Sequence, residues 1–417
     1  MHRRAALILL VLFGSLLFPG VAAFAEGESV RGTLSAGDEP IAGVDIIATT
    51  DEGEEVGRAT SGDDGAWEIV LDESGQFVIE LQTDTLPEGV ELTNPDRNPI
   101  RLEIFGGLSR GVVFSFDDEI GVDTFWQRVP QYLFSGLKTG LIIAIASVGL
   151  SLVFGTTGLI NFAHGEFVSL GAIIAWFLNR AGPEIPFVGA ALLAIAIGGV
   201  FGGVMDAGFF SKLRKRRITG FQFLVITIGL SLFLQSVLRL WYGNSFGNYS
   251  IPRQTPIRIG GIVTTPRDLI IMGASFLVLL AVGILLQTTR TGKAMRAVSD
   301  NKDLAESSGI DVNRIILSVW VSSGALAAIG GIFFGAVVNV HYLNGFKLLL
   351  LMFAAVILGG LGSAYGAMVG GLAIGFASEV TALWVPSELK VLSALLILII
   401  VLLVRPQGLL GRAERLG

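Results

Sequence analysis

Between Thr157 and Gly171 the chain reads TGLINFAHGEFVSLG, with apolar runs on both sides. Within six residues this stretch sets Asn161, His164 and Glu166. An amide, an imidazole and a carboxylate so close together can do acid–base chemistry, line a polar path or tie helices together. At membrane depth each ionisable group costs about 2.5–3.5 kcal/mol on insertion scales, so such residues face a bundle interior or an aqueous route. Catalysis needs further partners, and they are missing. The three histidines are His2, His164 and His341, and no nucleophile motif or metal-ligand set accompanies them. The absence of Cys removes thiol catalysis, thiolate metal sites and disulfides. We therefore expect no catalytic residue, no metal site and no cofactor. A phosphate loop of the form G-x-x-x-x-G-K-[ST] is also lacking, because Gly292-Lys293 is followed by Ala294.

The elements that would position this cluster follow from composition. The chain has 417 residues, 52% hydrophobic, with 55 Gly. Charge is divided unevenly: residues 26–123 carry a net −19 and the remainder +13. An acidic, soluble-looking front is joined to a basic, membrane-like back, and this pattern argues against a nucleic-acid partner.

Residues 1–25 read as a cleaved signal peptide, with a basic start at His2-Arg3-Arg4, an apolar run Ala5–Phe18 and the A-x-A site Ala23-Phe24-Ala25. Residues 26–120 read as an extracytoplasmic β-sandwich module, with short strands at 30–34, 43–48, 66–71, 77–81 and 111–116. Ser61-Gly62-Asp63-Asp64-Gly65 is a turn signal, and turn chemistry outweighs Ca²⁺ binding as the reason for its two Asp. The module is read as a spacer or docking unit, followed by a linker at 121–131.

From residue 132 to 405 apolar segments come in series, near 132–154, 158–178, 186–210, 220–241, 268–287, 314–338, 346–361, 364–384 and 388–404. Several have the length that spans a bilayer. The fold expected is an α-helical polytopic membrane protein of about eight or nine transmembrane or re-entrant segments behind a small all-β sandwich. The second and eighth segments are rich in Gly and polar residues and are the candidates for broken helices. Thirteen Lys and Arg, at 212–217, 290–314 and 405–415, fall on one side of this arrangement and six on the other. The rich side is expected to be cytoplasmic, which puts the N-terminal module outside and the tail 406–417 inside. Small residues recur at packing spacing in Gly198, Gly199, Gly202 and Gly203 and in Gly362, Gly366 and Gly370. The run Leu358-Gly359-Gly360-Leu361-Gly362-Ser363 is denser in Gly than packing requires and suits a helix break. Glu379 is expected either to glue helices or to line the path. The connection 288–314 reads as helical, with Gly309 ending a helix and Asp311 capping the next.

Four stretches, GLINFAHGEFVSLGA, TRTGKAMRAVSDNKDLAESSGID, AAVILGGLGSAYGAMVGGLAIG and LVRPQGLLG, resemble signatures of the branched-chain amino acid ABC transporter permease family, in the family's order over about 131–413. The front resembles carboxypeptidase-regulatory-like sandwich modules. The first resemblance implies a non-catalytic permease subunit of an importer for branched-chain or other amino acids. It also implies a second permease subunit, two cytoplasmic ATPase subunits that supply the energy, and an extracytoplasmic substrate-binding protein. On the same ground 288–314 is the coupling loop, in which Gly292, Arg296, Ala305, Glu306 and Gly309 meet the ATPase. Asn161, His164, Glu166, Gly359, Gly360, Gly362 and Glu379 belong to the translocation path or to helix packing. Urea or short amides are the alternative cargo, because the exported front departs from the family's usual start. A passive channel, a membrane-anchored adhesion protein and an intramembrane enzyme are the competing classes.

Overall fold

The computed structural model describes residues 28–36, 39–71, 75–87, 89–92, 95, 98–104, 109–112, 114, 116, 125–216, 218–244, 246–252, 254–385, 389–404 and 408–410. The signal-peptide reading, the start of the linker and most of the tail lie outside them. The chain divides into a β unit before residue 125 and a helical unit after it.

In the β unit, strands β4 (Asp45–Thr50), β5 (Glu55–Thr60), β7 (Gly75–Leu81) and β8 (Ile100–Ile104) form one antiparallel sheet in the order β5-β4-β7-β8. A second sheet has the order β6-β1-β9, from β6 (Ala66–Leu71), β1 (Glu28–Thr33) and β9 (Ser109–Gly111), with β1 and β9 parallel. A small hairpin joins β2 (Ser35–Ala36) to β3 (Glu39–Pro40). Alternation sets the inner faces: Ile46 and Ala48, Trp67, Ile69 and Leu71, and Phe77, Ile79 and Leu81 share one core. In the turn before β6, Asp64 Oδ1 accepts the Ala66 N–H at 3.0 Å, so that carboxylate serves the turn. Two details depart from expectation. Glu55–Thr60 is a strand although it alternates only weakly. The last strand spans 109–111 rather than 111–116; past it the Val112 N–H still donates to the Arg31 carbonyl at 2.9 Å, and Val112, Phe114 and Phe116 are buried.

The helical unit comprises α1 (Phe125–Thr157), α2 (His164–Trp176), α3 (Phe187–Met205), α4 (Ser211–Lys215), α5 (Gly220–Tyr242), α6 (Pro266–Thr288), α7 (Arg290–Asp300), α8 (Lys302–Ser307), α9 (Val312–Val337), α10 (Asn344–Gly359), α11 (Ala364–Val380) and α12 (Lys390–Val404). π-helical turns continue α2 at Phe177–Ala181 and α3 at Asp206–Phe210, and a short hairpin, β10 (Ile257–Ile259) and β11 (Ile262–Thr264), precedes α6. Among the described residues six helices are long and apolar enough to cross a membrane, and α10 and α12 are shorter apolar helices.

Two central helices, α1 and α9, run antiparallel: Gly149 lies against Ser323, and Gly330 against Ala146. Each holds another helix through glycine. Gly371 and Gly375 of α11 fit against Ala144 and Gly140 of α1, while Gly198 and Gly202 of α3 fit against Gly324 and Trp320 of α9. Without side chains at these points the backbones approach closely, which replaces the hydrophobic drive that lipid cannot supply. By contrast α5 and α6 expose wide apolar faces, including Phe221, Val225, Phe233, Ile270, Phe276 and Leu277.

After α1 and after α9 the chain does the same thing. It leaves the helix, runs unwound for six residues, and begins a short helix inside the bundle. At the first break Asn161 Oδ1 accepts the Ala163 N–H at 3.0 Å; at the second, His341 Nδ1 accepts the Leu343 N–H at 3.2 Å. The two short helices α2 and α10 meet at Gly165 and Gly345. The three helices α1–α3 and the three helices α9–α11 are thus inverted counterparts. Of the two candidates for a broken helix, the eighth segment is not broken. Segment 364–384 is a continuous helix with a terminal 3₁₀ turn, and the short helix is the seventh segment. The unwound stretch 338–343 precedes it and coincides with the gap expected between the segments 314–338 and 346–361.

Candidate functional site

The polar start of α2 lies deep in the bundle. The His164 Nε2–H donates to the carbonyl of Ala146 at 3.0 Å, and Ala146 stands eleven residues before the end of α1, about 16 Å along the axis. Its Nδ1 has no protein partner. Glu166 Oε1 accepts from the Ser231 hydroxyl of α5 at 3.1 Å, and Oε2 is unpartnered. Asn161, His164 and Glu166 are all buried. Asn161 does not share a helical face with His164, because the helix starts after it; its side chain caps the turn instead. Gly158 turns the chain at φ 70°, and Gly165 and Gly171 let α2 approach Gly345 and Ala328.

Sequence reasoning missed the hydroxyls around this start. Ser147 and Ser151, one turn apart on α1, and Ser323 on α9 are fully buried with no partner for their oxygens. Thr227 and Ser231 form the polar stripe by which α5 attaches: the Thr227 hydroxyl donates to the carbonyl of Leu224 at 3.0 Å and lies 3.4 Å from that of Ile160. The available signal was spacing, since Ser147/Ser151 and Thr227/Ser231 each lie four apart in apolar helices. Buried groups with unused hydrogen-bonding capacity, gathered where two helices begin inside the bundle, form a polar interior suited to water or a polar solute.

Gly359, Gly360 and Gly362 form the break between α10 and α11. Gly360 and Gly362 hold φ values of 106° and 80°, which favour glycine. Gly359 packs against Gly366, and Ser363 caps α11 by accepting the Gly366 N–H at 3.0 Å. Glu379 stands apart from the polar start of α2. Its Oε2 meets Lys390 Nζ at 2.8 Å and its Oε1 accepts from Thr139 at 3.2 Å, so it joins α11 to α12 and α1.

In the connection 288–314, Thr289 caps α7 by accepting the Gly292 N–H at 2.9 Å. Asn301 splits the expected single helix and caps α8 through the Leu304 N–H at 2.9 Å. Gly309 ends α8 with φ 85°, and Asp311 caps α9 through the Arg314 N–H at 3.1 Å. Gly292 is buried against the backbone of Leu285 and Leu286, and Ala305 is buried in the core. Arg296 and Glu306 are exposed, as is Leu304, a residue 65% exposed among charged neighbours. Buried Asp206 and partly buried Arg214 form an ion pair at 2.6 Å in the neighbouring segment.

Six spans, two helices starting inside the bundle and an ordered helical connection at one end define a multi-pass membrane protein built around a polar interior. The chain belongs to the family described as branched-chain amino acid transport system / permease component, which it matches over residues 132–404. It is therefore a transport subunit. The high-affinity branched-chain amino acid transport system permease protein LivH of Salmonella typhimurium is 32% identical over 320 residues, covering 68% of this chain and 96% of the relative. Its counterpart BraD of Pseudomonas aeruginosa is 33% identical over 305 residues with the same coverage. The ribose import permease protein RbsC of Escherichia coli is 30% identical over 256 residues, covering 58% of this chain and 75% of that protein.

Proposed function

We propose that this chain is the permease subunit of an ATP-driven importer that carries branched-chain or other amino acids across the cytoplasmic membrane. ATP is hydrolysed by two separate subunits seated on the 288–314 connection, a second permease subunit completes the pathway, and a binding protein delivers the cargo from outside. The observation that carries this reading is α7–α8, a helical pair packed inward through Gly292, Met295, Val298 and Ala305 while Arg296, Leu304 and Glu306 face outward. In this reading Leu304, exposed among charged residues, is the apolar contact that the connection offers to the ATPase. In this reading the basic end is cytoplasmic, residues 1–25 are removed as a signal, and module 26–120 stands outside as a spacer or docking unit.

The test is uptake of labelled leucine by vesicles carrying the assembled complex, with urea and ribose as competitors. Uptake should require the ATPase and should resist both competitors. Uptake that continues without the ATPase would overturn the importer reading, and efficient competition by urea would reassign the cargo. Because the chain has no Cys, single cysteines placed in the module and at Leu304 can be labelled from either side of the membrane to check orientation.

A further inference from the structure

The stretch LVRPQGLLG starts at the end of α12. Its described residues Gly408, Leu409 and Leu410 return to the helical unit and attach by backbone to the end of α10. The last four carbonyls of a helix lack intrahelical partners. In α10 they are Val356, Ile357, Leu358 and Gly359. The Gly360 N–H serves the first two, at 3.0 and 3.2 Å. The Leu409 N–H donates to Leu358 at 2.7 Å and the Leu410 N–H to Gly359 at 3.0 Å. Leu358, Gly359 and Gly360 are buried, so water cannot replace these donors cheaply. Gly408 has φ 76°, and a Cβ there would come within 2.7–2.8 Å of the Gly360 nitrogen and the carbonyls of Ile357 and Leu358.

The clamped end adjoins the connection. A Cβ on Gly155, near the end of α1, would meet Ser299 Oγ of α7 at 2.7 Å on one side and the Gly362 carbonyl at 2.8 Å on the other. Thus α7, the end of α1, the glycine break and the 408–410 segment touch in sequence. The far end of α10 meets the start of α2, where the Gly345 N–H donates to Ser169 Oγ at 2.8 Å.

We infer that Gly408–Leu410 is a positioning segment. It supplies two donors that hold the end of α10 to the glycine break, so that displacement of α7 reaches α10 and the polar start of α2. This inference rests on the importer reading for its consequence but not for its geometry.

The test compares Leu410→Pro, which removes the donor N–H, with Leu410→Ala, which keeps it, and with Gly408→Ala, all in the full chain within the assembled complex. Leu410→Pro and Gly408→Ala should lower uptake about tenfold or more while subunit assembly and ATP hydrolysis stay within about twofold, so that ATP spent per molecule carried rises. Leu410→Ala should stay within about twofold of wild type in both. Normal uptake in Leu410→Pro overturns the inference, and so does loss of uptake accompanied by loss of assembly, the mark of a merely structural role. Amide hydrogen exchange over 356–363 gives a second readout independent of transport. It should speed up in Leu410→Pro, and an unchanged rate overturns the clamp. Wild-type uptake without the ATPase would remove the importer reading and leave the exchange result to decide the clamp.

Discussion

A Cβ on Gly345 would fall on the backbone carbonyl of Gly165, and one on Gly165 would press against Gly345 in return. The two short helices cross here, each just after its first residue, with Ser169 Oγ donating to the Tyr342 carbonyl at 2.7 Å beside them. The crossing point of the inverted halves tolerates no side chain on either strand of contact.

Gly345→Ala should therefore destabilise the protein by about 1–3 kcal/mol, because overpacking against backbone outweighs the helix propensity gained. Gly273→Ala in α6, where a Cβ meets nothing within 4 Å, should be neutral or slightly stabilising. Thermal unfolding of the detergent-solubilised protein separates the two; equal midpoints would contradict the close approach.

The Ser231 hydroxyl is the described partner of Glu166 Oε1. Ser231→Ala leaves that buried oxygen without a donor and should cost about 1–3 kcal/mol. Glu166→Gln keeps an acceptor for Ser231 and should cost less. A double-mutant cycle should show coupling between the two positions, and strict additivity would mean that the contact carries no energy.

Glu379 and Lys390 are partly buried, with side-chain exposures of 16% and 29%. That places Lys390→Met between an exposed and a fully buried pair, at about 1–3 kcal/mol. The charge-swapped double variant, Glu379→Lys with Lys390→Glu, should recover most of the loss. Failure to recover while Thr139→Ala proves severe would assign the site to the threonine contact.

Leu304 is exposed, so Leu304→Glu should change stability by about 0.5 kcal/mol or less. Capture of the ATPase should nevertheless fall about tenfold in a pull-down with membranes. Gly309→Ala, at φ 85° with open space around it, should cost about 1 kcal/mol through backbone strain alone. If Leu304→Glu captures the ATPase normally, the anchor lies elsewhere on the connection.

Much of this architecture was legible in the chain. Apolar runs of bilayer length gave the spans, and Gly309 and Asp311 marked the end of one helix and the cap of the next because φ > 0 and a carboxylate acceptor have few substitutes. The density of glycine at 358–363 pointed to a break, which is present at 360–363. Three features were hidden. Asn301 caps a helix from within a run that reads as continuous, because Asn fits both a polar helix face and a cap. The stretch 338–343 falls between segments read as ending at 338 and restarting at 346, but nothing local shows that this connection runs inside the bundle, where Val340, His341 and Tyr342 are buried. The partners of Glu166, Gly155 and Leu358 come from residues more than 50 positions away, on packing that no local pattern encodes.

The exchange of partners between the halves has a consequence for biogenesis. Gly140 of α1 packs on Leu372 of α11, and Gly202 of α3 packs on Trp320 of α9. When the ribosome has delivered α1 to α6, none of these glycine grooves has its filler, and both helices wait in lipid with their tightest surfaces open. The membrane core is completed by the last third of translation, so the early helices must be kept from the wrong neighbours until then.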